Sequence, residues 1–213
     1  MRSSSSRRRD ALLFVAWACA TLSCAGSACP FETVTPPPGK DGMGLYFVNA
    51  TPVADGCELE EVSGAGFDFE LTLSANSEAG EHFMTMEDGF SRPATWDGQV
   101  VRSTDSARRY FNACSECVTR VEETIEVALL SLSQAEVVGN ACPPNPLDGG
   151  VPAPDDAGTL RPPGPRDNGF DALLACGELR TRVLVDEGPP DGGPCPAECS
   201  ACTMTYTLAG ERR

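Results

Sequence analysis

The chain has 213 residues and a formal net charge of −15, with 31 acidic against 16 basic side chains. Such a surface repels nucleic acid, which proteins bind through lysines and arginines that face phosphates, so we expect no nucleic-acid partner. Its 11 cysteines indicate disulfides if the chain is exported, whereas in a reducing compartment they would indicate metal ligands. Whether the chain is exported therefore decides how the cysteines are interpreted.

Residues 1–23 have the three parts of an export signal. A basic stretch ends in Arg7, Arg8 and Arg9, an apolar run follows over residues 11–22, and small residues come after it. The apolar run is shorter than the roughly 20 residues that a membrane-spanning helix needs. We therefore predict that residues 1–23 are a signal peptide that is removed on export.

The end of this leader carries a more specific pattern, in which Leu22 and Ser23 immediately precede Cys24. This segment resembles the lipobox of bacterial lipoprotein precursors, where an apolar and a small residue precede a cysteine that becomes the lipidated N-terminus. The resemblance implies that Cys24 carries a lipid that attaches the protein to a membrane, and that Ala25 directs it to the outer membrane of the cell envelope. Ordinary signal-peptidase cleavage near Ala25 or Ala28 is the alternative, and would give a secreted protein.

Residues 24–43 are predicted to be a tether. Pro36, Pro37 and Pro38 favour an extended polyproline conformation, which makes a semi-rigid spacer between an anchor and a folded domain. We expect the folded domain to occupy residues 44–213.

Two stretches of this domain show the alternation that is typical of β-strands. In the first, apolar side chains alternate with polar ones at Phe67, Phe69, Leu71 and Leu73. In the second, which follows Cys117, every other residue from Val121 to Leu129 faces one side of the predicted strand. Val121, Ile125, Val127 and Leu129 on that side are apolar, and Glu123 is the exception. A helix would also align apolar residues there, but β-branched residues are frequent and no helix cap precedes Val118, so we predict a strand that ends near Gly139.

Turn signals separate these and further short runs. Asp97 and Gly98 form a pair that favours a two-residue hairpin turn, with Val100 and Val101 returning from it. Residues 103–111 are compatible with a short helix, a loop or a distorted strand. Met204, Tyr206 and Leu208 alternate with threonines in the last strand. Short alternating runs separated by turns indicate an antiparallel sandwich or a barrel-like sheet, and we predict a mainly β, sandwich-like domain stapled by disulfides.

Residues 143–169 change character, because proline, glycine and aspartate dominate and no apolar period survives. We predict a disordered or weakly ordered insertion. The alternative is a calcium loop that uses Asp148, Asp155 and Asp156, although EF-hand spacing is missing.

The sequence contains no recognisable catalytic motif. His82 is the only histidine and lies in a predicted strand, EHFMTM, with no nucleophile motif to serve, so we interpret it as a surface or edge-strand residue. The nucleophile elbow, the phosphate-binding loop and the dinucleotide-binding glycine pattern are all missing. We therefore predict a protein that is not an enzyme.

The cysteines after the leader are predicted to form a disulfide framework. With Cys29 in the tether left over, eight candidates remain: Cys57, Cys114, Cys117, Cys142, Cys176, Cys195, Cys199 and Cys202. A bridge between Cys142 and Cys176 would close the insertion at its base. Cys114 and Cys117 could pair with two of the last three cysteines, but eight cysteines allow 105 connectivities.

A metal site is the alternative for four of these cysteines. Two C-x-x-C motifs, in the form of the paired knuckles that bind zinc through four thiolates, consist of Cys114, Cys117, Cys199 and Cys202. Export into an oxidising space argues against free thiolates, so we predict no cofactor. The sequence thus predicts an exported, non-enzymatic cell-envelope protein that binds an unidentified ligand or protein partner, with a zinc- or thiol-dependent protein as the alternative.

Overall fold

The structure is a computed structural model that describes residues 39–57, 65–86, 89–111, 114, 117–188 and 193–213. The predicted signal peptide, the lipidation candidate Cys24 and Cys29 lie outside these residues, as does the tether up to residue 38. The sequence also predicts a short strand that starts at Cys57, and this strand lies largely outside the described residues.

Ten strands and one short α-helix make up the described part of the chain, together with one turn of 3-10 helix at Ala197–Cys199. Before the helix lie β1 (Asp41–Asp55), β2 (Phe67–Asn76), β3 (Glu81–Met86), β4 (Ser91–Trp96), β5 (Val100–Arg109) and β6 (Val118–Leu130). The helix α1 (Leu132–Val137) is followed by β7 (Gly164–Arg166), β8 (Gly169–Asp171), β9 (Leu174–Glu187) and β10 (Cys202–Arg212). None of the helices among these residues is long and apolar enough to cross a membrane.

Eight of the strands form a closed antiparallel barrel, in the order β1-β10-β9-β6-β5-β4-β3-β2, while β7 and β8 form a separate hairpin. Each barrel strand pairs with the next one along the chain, and β1 closes the sheet by pairing with β10 from Tyr46–Arg212 to Asp55–Met204. The mainly β, disulfide-stapled fold is confirmed, but the predicted sandwich-like arrangement is corrected to a barrel. Alternating burial is the same in both architectures, and the ladder between the first and last strands distinguishes them.

The barrel interior is filled by apolar side chains, as expected for eight strands. Predicted inward-facing residues of β2, β6 and β10 are buried, including Leu71, Leu73, Ile125, Val127, Leu129, Met204 and Leu208. Tyr46, Val48 and Met84 from β1 and β3 complete the same core. Strands β6 and β9 approach so closely that a Cβ atom on Gly177 would lie 1.8 Å from the carbonyl oxygen of Glu126.

The two ends of the barrel differ, and we name them by what they carry. The cysteine end holds the last residues of β1, β5 and β9 and the first residues of β6 and β10, beside three disulfides. The hairpin end lies beside the β7–β8 hairpin, and there Phe170 stacks edge-on against Trp96 with ring centroids 6.2 Å apart. The Arg212 guanidinium donates to the carbonyl oxygens of Phe170 and Ala172, which ties the hairpin to the barrel.

The long predicted strand is confirmed over most of its length, but its predicted end at Gly139 is wrong. Strand β6 ends at Leu130, and Ser131 then caps α1. The hydroxyl of Ser131 accepts a hydrogen bond from the N–H of Gln134, whose side-chain oxygen accepts one from the N–H of Ser131. This capping box starts a helix where the apolar pattern alone favours more strand. The ambiguous segment 103–111 is strand β5 up to Arg109.

The structure places parts of the insertion at residues 143–169 against the barrel. Leu147 and Val151 pack against a second apolar cluster on the outer face of the barrel, built from Val100, Ala128, Leu130, Ala135, Leu174 and Cys176. The Gln134 side chain donates to the carbonyl oxygen of Pro152 at 2.8 Å. The proline-rich composition removes any regular apolar period. The side chains of Leu147 and Val151, the hydrogen bond to Pro152 and the Cys142–Cys176 disulfide hold the segment against the barrel.

The Cys142–Cys176 disulfide, with Cα atoms 5.5 Å apart, fixes the base of this insertion. We predict that the double variant Cys142→Ala and Cys176→Ala lowers the free energy of unfolding by about 3 kcal/mol, because the bridge constrains the unfolded chain. Residues 143–163 should then be cut by a protease that leaves the wild-type insertion intact. Limited proteolysis with mass mapping checks this, with Cys57→Ala plus Cys202→Ala as the control that leaves the insertion protected. An insertion that stays resistant without its bridge would contradict the assignment.

Candidate functional site

Three disulfides crowd the cysteine end of the barrel. They join Cys57 to Cys202, Cys114 to Cys199, and Cys117 to Cys195, with Cα separations of 5.0, 5.6 and 6.1 Å. Cys57, Cys114 and Cys199 are buried and belong to the main apolar core. Together with Cys142–Cys176, these bridges use all eight predicted disulfide candidates. Cys114 and Cys117 each pair with one of the last three cysteines, and Cys202 pairs with the more distant Cys57.

The structure divides the four cysteines of the zinc alternative among three different disulfides. Cys114 and Cys199 are bonded to each other, whereas Cys117 and Cys202 are bonded to cysteines outside the set. A sulfur in a disulfide is not the thiolate that binds zinc. Within the described ranges, no three His, Cys, Asp or Glu side chains are grouped so that they could hold a metal ion. The paired C-x-x-C motifs therefore do not come together as one ligand set.

A charged cluster lies inside the barrel near the cysteine end. Glu123, the exception in the apolar parity of β6, faces the interior and accepts a hydrogen bond from Arg92 Nη2 at 2.9 Å. Arg92 Nε also lies 3.8 Å from the Asp105 carboxylate. The Arg92 side chain is only 14% exposed, whereas that of Glu123 is 33% exposed. Because a desolvated guanidinium is costly without a partner, the pair with Glu123 stabilises Arg92 in this position.

A small amphipathic pocket opens beside this cluster. It has a volume of about 250 Å³ and is lined by Phe67, Arg109, Phe111, Val121, Glu123, Leu179, Thr181, Met204 and Tyr206. The ring of Phe67 stacks edge-on against Tyr206 with centroids 5.2 Å apart. Burial, and then the nearby Asp55 carboxylate, raise the pKa of Tyr206, so its hydroxyl remains protonated. The pocket thus offers apolar walls with a few polar groups, as small-molecule and peptide side-chain sites do.

Next to this pocket the barrel wall is incompletely paired. Strands β4 and β5 are joined only by the register pairs Trp96–Val101 and Thr95–Arg102, next to their connecting turn. By contrast, β5 pairs with β6 along its whole length. We call the region between residues 90–93, at the start of β4, and residues 104–109, on β5, the seam. It encloses about 440 Å³ and is lined by Phe90, Ser91, Arg92, Pro93, Thr104, Asp105, Ala107, Arg108 and Arg109.

The closed part of the β4–β5 hairpin is held by Asp97. The N–H groups of Val100 and Gln99 donate to the Asp97 carboxylate at 2.8 and 3.0 Å, and Arg102 pairs with it at 2.7 Å. The hydrogen bond from Val100 is the main cause that holds the pKa of Asp97 below its usual value, and Arg102 adds to it. A tight turn occurs where it was predicted, but its central residues are Gly98 and Gln99, because the N–H of Asp97 donates to the carbonyl oxygen of Val100, and only Gly98 has a positive φ. The part of β4 and β5 without register pairs therefore lies at the opposite end of this hairpin from the turn.

Two arginines at the cysteine end lack partners. Among the arginines that the structure describes, only Arg108 and Arg109 have guanidinium groups with no hydrogen bond or ion pair. Both follow one another at the end of β5 and are exposed. In a chain with nearly twice as many acidic as basic side chains, two adjacent arginines without a carboxylate partner mark a surface that can bind an anion.

The hairpin end carries another cavity, of about 650 Å³, lined by His82, Lys40, Trp96, Arg166, Phe170 and neighbouring residues. Its charged groups are already engaged, since Arg166 lies 3.7 Å from Asp171 and Lys40 lies 3.8 Å from Glu78. His82 is half-buried and pairs with Ala75 and Ala94 on the two neighbouring strands, so it does not lie on an edge strand. The interactions at this end attach the β7–β8 hairpin to the barrel.

Sequence reasoning did not single out Arg92, Arg108 or Arg109. Glu123 carried a signal, because a charge within an apolar parity must either face water or find a partner inside. Arg108 and Arg109 lay in the segment whose secondary structure was ambiguous, so their placement at a sheet opening was not predictable. The pairing of Arg92 with Glu123 joins β4 to β6 across 31 positions of sequence, which no local pattern reports.

The Arg92–Glu123 pair should contribute to stability as well as to the shape of the pocket. We predict that Glu123→Ala lowers the free energy of unfolding by about 1–2 kcal/mol, because it leaves a largely buried guanidinium with one distant partner. The double variant Arg92→Met and Glu123→Leu should regain most of the loss. Urea titration of Arg92→Met, Glu123→Leu and the double variant measures the coupling, with the exposed pair Arg180–Glu178 as the matched control, for which less than about 0.5 kcal/mol is expected. Additive losses at Arg92 and Glu123 would contradict a direct pair.

The cysteine end thus combines an apolar pocket, a paired charge cluster, two unpartnered arginines and an unpaired stretch of strand. These groups suit the binding of an extended, anionic ligand. No protein-family model, no curated protein and no solved structure matches the chain, so its function has to be inferred from this site.

Proposed function

We propose that the protein is an exported, lipid-anchored, non-enzymatic binding module of the cell envelope, and that it binds its partner at the cysteine end of the barrel. The single observation that carries the location of the site is the pair Arg108 and Arg109, which are exposed and unpartnered beside the open seam. Each of the other arginines that the structure describes already has an ion pair or a hydrogen bond. A site with unused donors is where a ligand can add interactions without displacing existing ones.

Export is supported by the disulfides. Four bridges join cysteines 34 to 145 residues apart, and such bridges persist in oxidising compartments. The lipobox-like segment that ends in Cys24 supports attachment to a membrane, and the proline-rich tether after it supports a domain held at a distance from its anchor. A protein cleaved near Ala25 or Ala28 would carry the same barrel as a secreted form.

A binding role is supported over catalysis by the chemistry of the cysteine end. The available groups are guanidinium, carboxylate, hydroxyl and aromatic side chains, and the lone histidine lines the cavity at the opposite end. The raised pKa of the Tyr206 hydroxyl makes it a poor nucleophile at neutral pH. A barrel that presents a set of side chains at one of its ends is a common scaffold for recognition.

The anchor and the oxidation state can be measured together. We predict that protein purified from its own cell envelope has the intact mass of a chain that starts at Cys24 with a diacyl or triacyl group, and with eight cysteines oxidised. Cys24→Ser should remove the lipid mass and release the protein from the membrane fraction, because the thiol is the acylation site. A mass without lipid that starts near Ala25 or Ala28 would support secretion instead. A bound zinc with free thiols would contradict the proposal.

The location of the binding surface can be tested by site-specific photo-crosslinking in the native envelope. A photoreactive phenylalanine at Tyr110, which is 79% exposed next to the last residue of β5, should give discrete cross-linked products. The same probe at Val137, which is 65% exposed on α1 at the other end, is the matched control and should give none. Equal labelling at both positions, or labelling at Val137 alone, would contradict a partner at the cysteine end.

A further inference from the structure

We propose that the partner presents the C-terminus of another polypeptide, whose last, apolar side chain enters the amphipathic pocket and whose carboxylate pairs with the guanidinium of Arg109. This inference rests on the proposed function, because it names the class of partner for the same end of the barrel. It follows from the size and walls of the pocket, from its unused polar atoms, and from the apolar side chains that are exposed around it.

The size and the walls of the pocket fit a single apolar residue. Its volume of about 250 Å³ lies below the roughly 300–1,000 Å³ of pockets that enclose drug-sized ligands, so its occupant is smaller than those. The apolar walls come from Val121 on β6, Leu179 on β9, and Met204 and Tyr206 on β10. An apolar side chain that enters this space loses its contact with water, which is the main favourable term in most protein associations.

The pocket also contains an unused cation. Arg109 is the last residue of β5 and lines the pocket, and in the described structure its guanidinium makes no hydrogen bond or ion pair. An apolar side chain alone would leave this group without a partner. A C-terminal residue brings a carboxylate on the same Cα as its side chain, and guanidinium groups bind carboxylates through two parallel hydrogen bonds. One such residue therefore meets both the apolar walls and the cation.

The carboxylate of Glu123 lines the same pocket and is compatible with this ligand. Its Oε2 accepts a hydrogen bond from Arg92 at 2.9 Å, so its charge is already balanced inside the barrel. In the described part of the chain its Oε1 has no hydrogen-bond partner. The peptide N–H of a bound C-terminal residue can donate to that oxygen. The unused donor on Arg109 and the unused acceptor on Glu123 thus match the carboxylate and the N–H of one residue.

Apolar side chains are exposed around the pocket at the cysteine end. Of the seven large apolar side chains that are exposed among the described residues, four lie at this end: Val53, Phe67, Phe90 and Tyr110. Val53 is near the end of β1 and Tyr110 follows β5, and antiparallel pairing places these ends beside the starts of β2 and β4, where Phe67 and Phe90 lie. Apolar groups gathered around a pocket are typical of a surface that another protein covers.

The position of the tether favours a polypeptide partner over a lipid surface. Strand β1 begins at the hairpin end, where Asp41 pairs with Ala75 and lines the cavity that contains Phe170. The predicted tether therefore joins the barrel at the end opposite to the pocket, and a lipid on Cys24 would hold the protein through that end. The net charge of −15 also opposes contact between the barrel and an acidic lipid surface.

The proposal is tested by fluorescence polarisation with the full disulfide-bonded protein and short peptides that carry a dye at the N-terminus. Four peptides share a glycine–serine spacer and end in leucine, methionine, phenylalanine or tryptophan with a free carboxylate. We expect at least one of them to bind with a Kd below about 1 mM, and its C-terminal amide to bind at least about tenfold more weakly, because the amide lacks the charge that pairs with Arg109. A peptide that ends in serine is the control for the apolar contact and should not bind.

A variant of the barrel gives the matched evidence. Arg109→Gln should weaken binding of the free-acid peptide about tenfold and leave the weaker binding of the amide unchanged, because the variant and the amide remove the same ion pair. Arg161→Gln, on the insertion, is the control and should change neither affinity. Circular dichroism and the oxidised mass establish that each variant is folded, and the comparison of acid with amide tests the same contact in the unaltered protein.

Each outcome has a distinct meaning. Equal affinity for acid and amide, no binding of any of the four peptides, or an equal effect of Arg109→Gln on acid and amide would overturn the inference. If a free amino acid binds as tightly as the peptide that ends in it, the ligand is a small carboxylate and the polypeptide partner is wrong. If the Tyr110 probe captures a partner while no peptide binds, the proposed function stands and only the C-terminal mode fails. If the peptide binds as expected but the protein lacks a lipid, the site stands and the anchor fails.

Discussion

The structure depends on the ladder between β1 and β10, which joins the two ends of the described chain and closes the sheet. Seven of the eight pairings in the barrel connect strands that follow one another among the barrel strands, so each can form as a hairpin or a simple return. The β1–β10 pairing alone brings together residues such as Thr51 and Thr207 that are far apart in sequence. Without it the sheet would have two open edges, and the apolar face that includes Tyr46, Val48 and Leu208 would face water.

Closure also explains why one weakness in the wall matters. In an open sheet, an unpaired stretch of strand is simply an edge, and proteins protect edges with prolines, charges and irregularities. In this barrel the same devices, Pro93 and Arg92, occur in the wall rather than at an edge. Opposite them, β5 has no register pair with β4 beyond Arg102, although it pairs with β6 along its whole length.

Much of the secondary structure was predictable from the sequence, and the reasons are local. The alternation in β2 and β10 is complete enough to identify both strands and their inward faces. Strand β6 was predicted correctly against a helical alternative because of its β-branched residues, while the capping residues Ser131 and Gln134 that end it were overlooked. The cysteine content indicated a disulfide framework. These features depend on residues that are close together in the chain.

The remaining features depend on contacts between distant residues. Burial alternates in the same way in a sandwich and in a barrel, so the sequence did not distinguish them. The insertion at residues 143–169 lacks periodicity because it covers the barrel with a few anchors, such as Leu147 and Val151, and not with a regular face. The cluster of Arg92, Asp105 and Glu123 draws one residue from each of three strands. Its only trace in the sequence is the charge of Glu123 within an apolar parity.

The order of the disulfides along the chain has a consequence for how the protein matures. The bridges are nested, since Cys142–Cys176 lies within Cys117–Cys195, which lies within Cys114–Cys199, which lies within Cys57–Cys202. Once the innermost bridge exists, each next pair closes a much shorter effective loop. The four bridges can therefore form in order from the innermost to the outermost. Of the eight bridged cysteines, a chain that enters an oxidising space from its N-terminus presents Cys57 and Cys114 first, and neither is the partner of the other. Native pairs are therefore expected to form when oxidation follows the arrival of the last strand, or when a disulfide isomerase corrects pairs that formed early.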